Sequence, residues 1–227
     1  MKPPRTRPTQ LPPLKDGDRM TQEEFHRRYE AYPEDVKIEL IGGVVHVASP
    51  MKGPHGLYSF EVNLALGIYK ASTPGVEGAA GISAILNEKG EPMPDLLLRL
   101  HHECGGQSRF NDRQYLEGAP EFIAEVSDAT LAIDLNRKKK DYLETGVQEY
   151  LVLDLVEREI HWFHFPSKRK LKPGKDGVWR SREFPGLWID GPALLARDSA
   201  KLIAAVQRGL ASAEHAAFVR LLASRHG

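Results

Sequence analysis

The clearest hydrophobic pattern near the start of the chain lies on either side of Gly42–Gly43. The flanking runs, 36–41 and 44–47, are rich in valine and isoleucine, and two such runs joined by Gly-Gly predict a β-hairpin. Before this hairpin, Thr21 and Glu24 have the spacing of a capping box. A short helix is therefore predicted to open the fold.

An amphipathic helix is predicted over 54–70, where Leu57, Phe60, Leu64 and Ile68 recur at helical spacing. These four side chains are expected to form its apolar face. Short β-rich runs follow at 82–86, 95–100 and 122–126, and the polar linker 101–120 is expected to be irregular.

Helices and strands continue to alternate in the second half of the chain. A helix is predicted over 134–145, strands over 150–155 and 159–165, a hairpin turn over 168–175, and a helical extension over the Ala- and Leu-rich residues 194–224. This order predicts a mixed sheet flanked by helices, in the α/β (α+β) class.

Composition sets the boundaries of this domain. Residues 1–18 contain five prolines and scattered cations, which predicts a flexible basic tail before a domain over 19–192 and the extension over 193–227. No apolar run is long enough for a membrane span, and the tail lacks the apolar centre of a signal peptide, so a cytoplasmic protein is expected.

Charge and cysteine content exclude some functions. The chain has 31 Lys+Arg against 31 Asp+Glu, which argues against a general polyanion binder, although the clusters 137–140 and 168–170 could contact phosphates. Its single cysteine, Cys104, excludes an internal disulfide framework, and the run 101–104 is expected to be a polar loop because its adjacent residues cannot close a tetrahedral metal shell.

Three charged residues conflict with the apolar pattern of their own elements. Glu125 lies inside an apolar strand, where a buried carboxylate needs a cation or a hydrogen-bond donor. Asp95 follows Pro94 at the start of another apolar run. Lys138 falls on the helix face that Leu135 and Tyr142 define, although its i,i+4 spacing from Asp134 also fits a surface ion pair.

Together these residues suggest a specific chemistry. Carboxylate oxygens bind Mg²⁺, and an ammonium group can stabilise an oxyanion or position a water molecule. Hydrolysis of a phosphodiester uses both, because a bound metal lowers the pKa of water and neutralises developing charge.

The motifs resemble those of the PD-(D/E)XK nuclease superfamily, and more narrowly its Uma-type branch of bacterial restriction endonucleases. The resemblance covers roughly residues 20 to 190 and rests on the combination of motifs. The matching positions are Glu39–Gly43, Ser49-Pro50, His55, Pro94-Asp95, Glu125, Ser127, Asp134, Lys138, Tyr142, Gly146–Tyr150 and Pro185–Leu187.

This resemblance implies a restriction-endonuclease-like fold in which Asp95 and Glu125 bind Mg²⁺ or Mn²⁺. The superfamily lysine should stand two residues after Glu125, where this chain has Ser127. In the Uma-type branch the lysine lies on the following helix, and Lys138 occupies that place. It can reach the metal-bound water only if this helix packs against the strand of Glu125.

Glu39, His55 and Ser127 are auxiliary candidates by resemblance. Glu39 could contact the metal or its waters, or could be a hairpin carboxylate facing solvent. His55 could bind phosphate or shuttle protons, or could be structural. Tyr142 and Tyr150 are expected to be core aromatics with hydrated hydroxyl groups.

The sequence therefore predicts a Mg²⁺-dependent DNA endonuclease. The alternative is a catalytically inactive nucleic-acid-binding or scaffolding module of the same fold, which the missing lysine at position 127 would fit. A third alternative uses 194–224 as an oligomerisation helix, so that a homodimer could cut both strands.

Overall fold

The computed structural model describes residues 11–33 and 36–225 of the 227-residue chain. Of the tail predicted over 1–18, residues 1–10 lie outside this description. The later part contacts the fold: Leu14 is buried, and the Gly17 amide donates a hydrogen bond to the Val45 carbonyl at 2.9 Å. Among the described residues, no helix is long and apolar enough to cross a membrane.

The N-terminal helix and hairpin form as the sequence predicts. Helix α1 spans Gln22–Tyr29, and the Thr21 side chain caps it by accepting from the Glu24 amide. Strands β1 (Ile38–Ile41) and β2 (Val44–Val47) pair antiparallel. Gly42 and Gly43 both have positive φ, which the two-residue turn requires and which glycine adopts without strain.

Helix α2 spans Gly53–Ala71, as predicted. Its predicted apolar face is correct for Ile68, which packs against the core, and wrong for Leu57 and Phe60. Leu57 and Phe60 are 52% and 67% exposed. The buried face contains Val62, Leu66 and Tyr69 instead. Because apolar residues occur on both sides of this helix, their spacing alone did not identify the side that packs on the sheet.

A six-stranded mixed sheet forms the centre, in the order β11-β10-β9-β8-β5-β3. Its strands are β3 (Val76–Ala80), β5 (Leu96–Leu100), β8 (Phe122–Ser127), β9 (Glu149–Asp154), β10 (Glu159–His164) and β11 (Arg169–Lys170). The β8–β9 pair is parallel and the other pairs in this sheet are antiparallel.

The remaining elements lie outside this sheet. The short strands are β4 (Ala84–Ile85), β6 (Arg109–Phe110), β7 (Leu116–Glu117), β12 (Val178–Arg180) and β13 (Trp188–Asp190). The later helices are α3 (Lys139–Thr145), α4 (Gly191–Ala196), α5 (Ser199–Leu210) and α6 (Ala213–Arg225). A 3₁₀ turn spans His102–Cys104, and a π-helical segment, Ile133–Lys138, leads into α3.

Several predicted boundaries need correction. Strand β3 was not predicted, because its sequence VEGAA has a single β-branched residue. The strand predicted over 82–86 contracts to β4, and the linker 101–120 contains β6 and β7. The turn predicted over 168–175 is wrong at its start, since β11 pairs with β10 there.

Alternation along β8 divides the core. Phe122, Ala124 and Val126 face a large cluster that includes α2 and the C-terminal helices. Ile123 faces a second cluster with Tyr142 and neighbouring side chains beneath α3. Glu125 shares this second face by the same two-residue period, so the strand itself directs the carboxylate towards the helix of Lys138.

Candidate active site

Asp95 and Glu125 meet where β5 and β8 lie side by side. Leu96 pairs with Ala124, which brings the preceding Asp95 next to Glu125 across the ladder. The Asp95 amide lies 3.3 Å from Glu125 Oε2, and the Val126 amide donates to Asp95 Oδ2 at 2.8 Å. The two carboxyl groups predicted to act together are therefore neighbours at one edge of the sheet.

Lys138 reaches this pair from the helical connection between β8 and β9. Its side chain is 7% exposed, and its Nζ lies 2.9 Å from Glu125 Oε1 and 3.0 Å from Glu39 Oε1. The predicted pairing with Asp134 exists at 3.9 Å, but both residues are buried, so the surface interpretation is wrong. The helix does pack against the strand of Glu125, as a displaced lysine requires.

Ser127 fastens this helix to β8. Its hydroxyl donates to Asp134 Oδ2 at 2.7 Å, and the Thr130 hydroxyl donates to the same oxygen at 2.7 Å. The serine that replaces the expected lysine thus holds the segment that carries Lys138. Sequence reasoning did not assign Asp134 this anchoring role; the i,i+4 spacing of Thr130 and Asp134 was the available signal.

A π-helical turn places Lys138 itself. The Lys139 amide bonds to the Asp134 carbonyl, five residues earlier, and Tyr150 donates its hydroxyl to the same carbonyl at 3.2 Å. Such wide turns are often found at functional sites. Nothing in the local sequence distinguishes this turn from an ordinary α-helix.

His55 and Glu39 both join the cluster. His55 lies in the first turn of α2, with Nε2 3.1 Å from Asp95 Oδ2 and Nδ1 3.4 Å from the Ser59 hydroxyl. Glu39 lies on β1, where its Oε1 accepts from the Met93 amide at 2.7 Å as well as contacting Lys138. The hairpin and α2 therefore close the site from two sides.

Tyrosines seal the inner end of the site. Tyr142 donates to Glu125 Oε1 at 2.9 Å and packs edge-to-face on Tyr150 with ring centroids 5.0 Å apart. Both side chains are fully buried. Their hydroxyl groups bond to protein atoms, so the expectation of hydrated hydroxyls is wrong. The two rings cover the inner side of Glu125.

The electrostatics of the site depend on burial and on an excess of acids. Burial raises the pKa of Glu125 well above its usual range, and the nearby carboxylates add to this effect against the attraction of Lys138. Burial would also raise the pKa of Asp95, but His55, the Val126 amide and Lys138 together lower it. Burial opposes the charge of Lys138, yet Glu125, Glu39 and Asp134 raise its pKa well above normal.

A bound cation would favour the ionised form of the acids in this site, whose pKa values burial raises for Glu125 and Asp134. When ionised, the four carboxylates Glu39, Asp95, Glu125 and Asp134 exceed the two cations Lys138 and His55 by two negative charges. The Asp95 carboxylate bond also raises the pKa of His55, so this histidine retains its proton more readily. A divalent cation would neutralise the remaining charge.

The donor set fits a hard metal ion. No group of three His, Cys, Asp or Glu side chains arranged to hold a metal occurs within 11–33 and 36–225, and the run 101–104 provides none. Mg²⁺ commonly takes only one or two protein carboxylates and completes its octahedron with water and phosphate oxygens. Asp95 and Glu125 could supply those two carboxylates.

Comparisons with known proteins agree with this geometry. A structure from Anabaena variabilis ATCC 29413, described as "a putative nuclease belonging to DUF820", superposes with a TM-score of 0.60 at 15% identity, covering 78% of this chain and 98% of that one. The curated proteins contain no match. Residues 22–194 match the family "Uma2: Putative restriction endonuclease". The matched residues include the hairpin, the central sheet and the helix of Lys138. The chain therefore belongs to the Uma2 family.

Proposed function

We propose that this chain is a Mg²⁺- or Mn²⁺-dependent endonuclease that hydrolyses phosphodiester bonds of DNA. The observation that carries the proposal is the convergence of Asp95, Glu125 and Lys138 from β5, β8 and the connecting helix at one edge of the sheet. Family membership supports a nuclease, and the surplus of carboxylates supports a divalent cation.

The proposed roles follow from the contacts. Asp95 and Glu125 would hold the metal. When bound, the metal would lower the pKa of a water molecule and neutralise charge on the phosphate in the transition state. His55 orients Asp95 by its contact with Oδ2, which leaves Oδ1 for other ligands. Glu39 and Asp134 keep Lys138 in position.

Lys138 acts as a cation and a hydrogen-bond donor. Its three carboxylate neighbours hold the proton on Nζ, so it cannot accept a proton from water near neutral pH. It can orient an attacking water molecule and stabilise negative charge on the phosphate oxygens. A preorganised donor in a water-poor site is worth about 10²- to 10³-fold in rate.

Cleavage of supercoiled plasmid and of single-stranded DNA, with Mn²⁺, Mg²⁺ or EDTA, tests the proposal. We expect metal-dependent nicking that is lost in Asp95→Asn. The matched control is Asp112→Asn, which makes the same chemical change at an exposed position and should nick normally. Circular dichroism confirms that each sample is folded.

Calorimetric titration with Mn²⁺ separates an active site from a binding module of the same fold. The proposed site should give a binding heat that Asp95→Asn removes. Absence of both nicking and this heat in a folded sample would overturn the proposal and favour the catalytically inactive nucleic-acid-binding or scaffolding module.

A homodimer would provide two such sites for cutting both strands. The C-terminal helices also serve the fold of one chain, because Leu194, Leu202, Val206 and Leu222 belong to its main core cluster. Truncation before α4 would therefore disturb the core. Light scattering of the full chain measures whether it forms a homodimer. If the mass is that of a monomer, the expected activity is nicking of one strand.

A further inference from the structure

A short segment concentrates positive charge in a chain that has none overall. Residues 166–182 carry seven cations and one acid, Asp176, whereas the remaining chain has six more acids than cations. The cations are Lys168, Arg169, Lys170, Lys172, Lys175, Arg180 and Arg182. The proposed chemistry of the active site uses none of them.

The fold arranges part of this segment around a cavity of about 480 Å³. Five of its lining residues are basic, and we call it the basic cavity; they are Arg169, Lys170, Lys172, Arg180 and Arg182. Leu171, Pro173 and Val178 provide an apolar part of the wall. This size lies within the range of pockets that hold small molecules or single nucleotide units.

The basic cavity lies away from the candidate active site. Strand β11 pairs with the end of β10 at His164, which in turn pairs with Glu149 at the start of β9. Strand β8 lies three strands across the sheet from β11, and Glu125 lies three residues along β8 from Phe122, the partner of Glu149. At the usual strand spacing and rise per residue, the two sites are about 17 Å apart. Leu171 also packs in the α2-facing cluster, on the sheet face opposite Glu125.

Three of the five cations are free to bind an anion. Asp176 holds Arg180, and His161 Nδ1 lies 2.8 Å from Lys170 Nζ. The side chains of Arg169, Lys172 and Arg182 are exposed and have no ion pair or hydrogen bond within the described part of the chain. Like charges gathered without acidic partners repel one another, so an anion at this place would relieve the repulsion.

A buried carboxylate fixes one wall of the cavity. Glu149 is fully buried, and it accepts from the Ser181 hydroxyl at 2.6 Å and from the Arg182 amide at 2.7 Å. These bonds fix the backbone of Ser181 and Arg182 against the sheet. The guanidinium group of Arg182 therefore extends from an ordered support.

We propose that the basic cavity binds the phosphodiester backbone of a nucleic acid, at a phosphate distant from the one being cut. Several exposed cations beside a small apolar wall suit successive phosphates and the sugar between them, with no requirement for base sequence. The separation of about 17 Å corresponds to about five base pairs of duplex. The inference rests on the proposed nucleic-acid substrate and not on its cleavage.

Fluorescence anisotropy of a labelled duplex tests this inference on the full-length Asp95→Asn chain in EDTA, where no cleavage occurs. The test variant adds Arg169→Gln, Lys172→Gln and Arg182→Gln. We expect affinity at 0.1 M salt to fall about 10- to 100-fold, and the slope of log K against log salt to decrease by about two to three, as expected for that number of lost phosphate contacts.

A variant of equal net charge provides the control. Lys15, Lys70 and Arg208 are exposed residues outside the basic cavity, and replacing all three with glutamine should leave the affinity within about twofold. Equal loss in both triple variants, or no duplex binding by the parent, would overturn the inference. Displacement of the duplex by millimolar inorganic phosphate or a mononucleotide would also overturn it, because the cavity would then be a small-anion site.

The two proposals can fail separately. Duplex binding that depends on the basic cavity, without any metal-dependent nicking by the parent, would contradict the proposed nuclease and support the basic cavity. Nicking that the Arg169, Lys172 and Arg182 triple variant retains with an unchanged KM for DNA would retain the nuclease and overturn the basic cavity.

Discussion

Glu125 on β8 and Glu149 on β9 are buried acids in neighbouring parallel strands, yet their partners differ in kind. Glu149 accepts from three neutral donors, the Trp162 indole, the Ser181 hydroxyl and the Arg182 amide. Glu125 accepts from the Tyr142 hydroxyl and the Asp95 amide, and it also contacts the Lys138 ammonium, which two other carboxylates share. Burial raises the pKa of both glutamates.

The comparison shows that two glutamates buried to a similar extent can have different roles. Neutral donors that belong to a loop fix the loop and leave no capacity for a ligand. A cation shared among several acids leaves net charge uncompensated, and its hydrogen bonds can be redistributed when a metal or phosphate arrives. We therefore expect Glu149 to determine stability and Glu125 to determine chemistry.

The largest expected effect is that of Lys138→Met. Removing one partner of a buried ion pair leaves the acids uncompensated and should lower the free energy of unfolding by about 3–5 kcal/mol near neutral pH. Because the pKa values of Glu125 and Asp134 are raised, this loss should be absent below the unfolded pKa near 4.5 and should grow as the pH rises through their folded values. Urea denaturation at several pH values measures it. Lys140→Met, an exposed change on α3, is the control.

Glu125→Gln should have its main effect on cleavage. Rates should fall at least about 100-fold, because the neutral amide is a poor metal ligand. The free energy of unfolding should change by less than about 1 kcal/mol, since Glu39 and Asp134 still hold Lys138. Plasmid nicking and urea denaturation of the same sample check both parts. A large stability loss with normal nicking per folded molecule would remove the contrast with Glu149.

Glu149→Gln should show the reverse result. Its amide nitrogen would face a hydrogen-bond donor, so the free energy of unfolding should fall by about 1–3 kcal/mol. Nicking by the folded fraction should remain normal. If nicking instead fell as far as in Glu125→Gln, the two glutamates would not have separate roles.

The smallest expected effect on stability is that of Asp176→Asn. This substitution extends the comparison of the buried acids Glu125 and Glu149 to an exposed acid. Arg180 lowers the pKa of Asp176 to about 2. A depressed pKa stabilises the fold above the unfolded value of 3.8, and this contribution is lost as the pH falls towards 2. Acid unfolding of parent and variant should therefore converge between about pH 4 and 2, with a difference above that window that salt reduces. A difference that widened below pH 3 would contradict this assignment.

Sequence patterns predicted the local parts of the fold. The hairpin followed from Gly42–Gly43 between β-rich runs, and α1 followed from Thr21. Patterns failed where the decision depended on distant packing. The exposed face of α2 with Phe60 and the alanine-rich β3 are examples, because their burial depends on elements far along the chain.

The candidate site was predicted to a similar extent. Asp95, Glu125 and Lys138 were visible as charges in apolar patterns, and resemblance to a family directed attention to Glu39 and His55. Their catalytic roles remain predictions. The anchoring of Asp134 by Ser127 and the π-helical turn were not foreseen, since each depends on a contact between the helix and another element of the fold. The same limit explains why Glu149, which is fully buried in β9, was not identified as a buried acid.

The parallel β8–β9 pair has a consequence for how the length of the chain can vary. The connection 128–148 must cross the sheet to join the two strands, and it carries Lys138 over Glu125 on the way. Extra residues at its exposed start, near Ala129, should be tolerated, because even doubling a flexible loop costs only about 0.6 kcal/mol in closure entropy. One residue added between Asp134 and Lys138 would rotate the lysine by about 100° around the helix axis. An insertion near Ala129 should therefore leave Lys138 in place, whereas an insertion between Asp134 and Lys138 should move it away from Glu125.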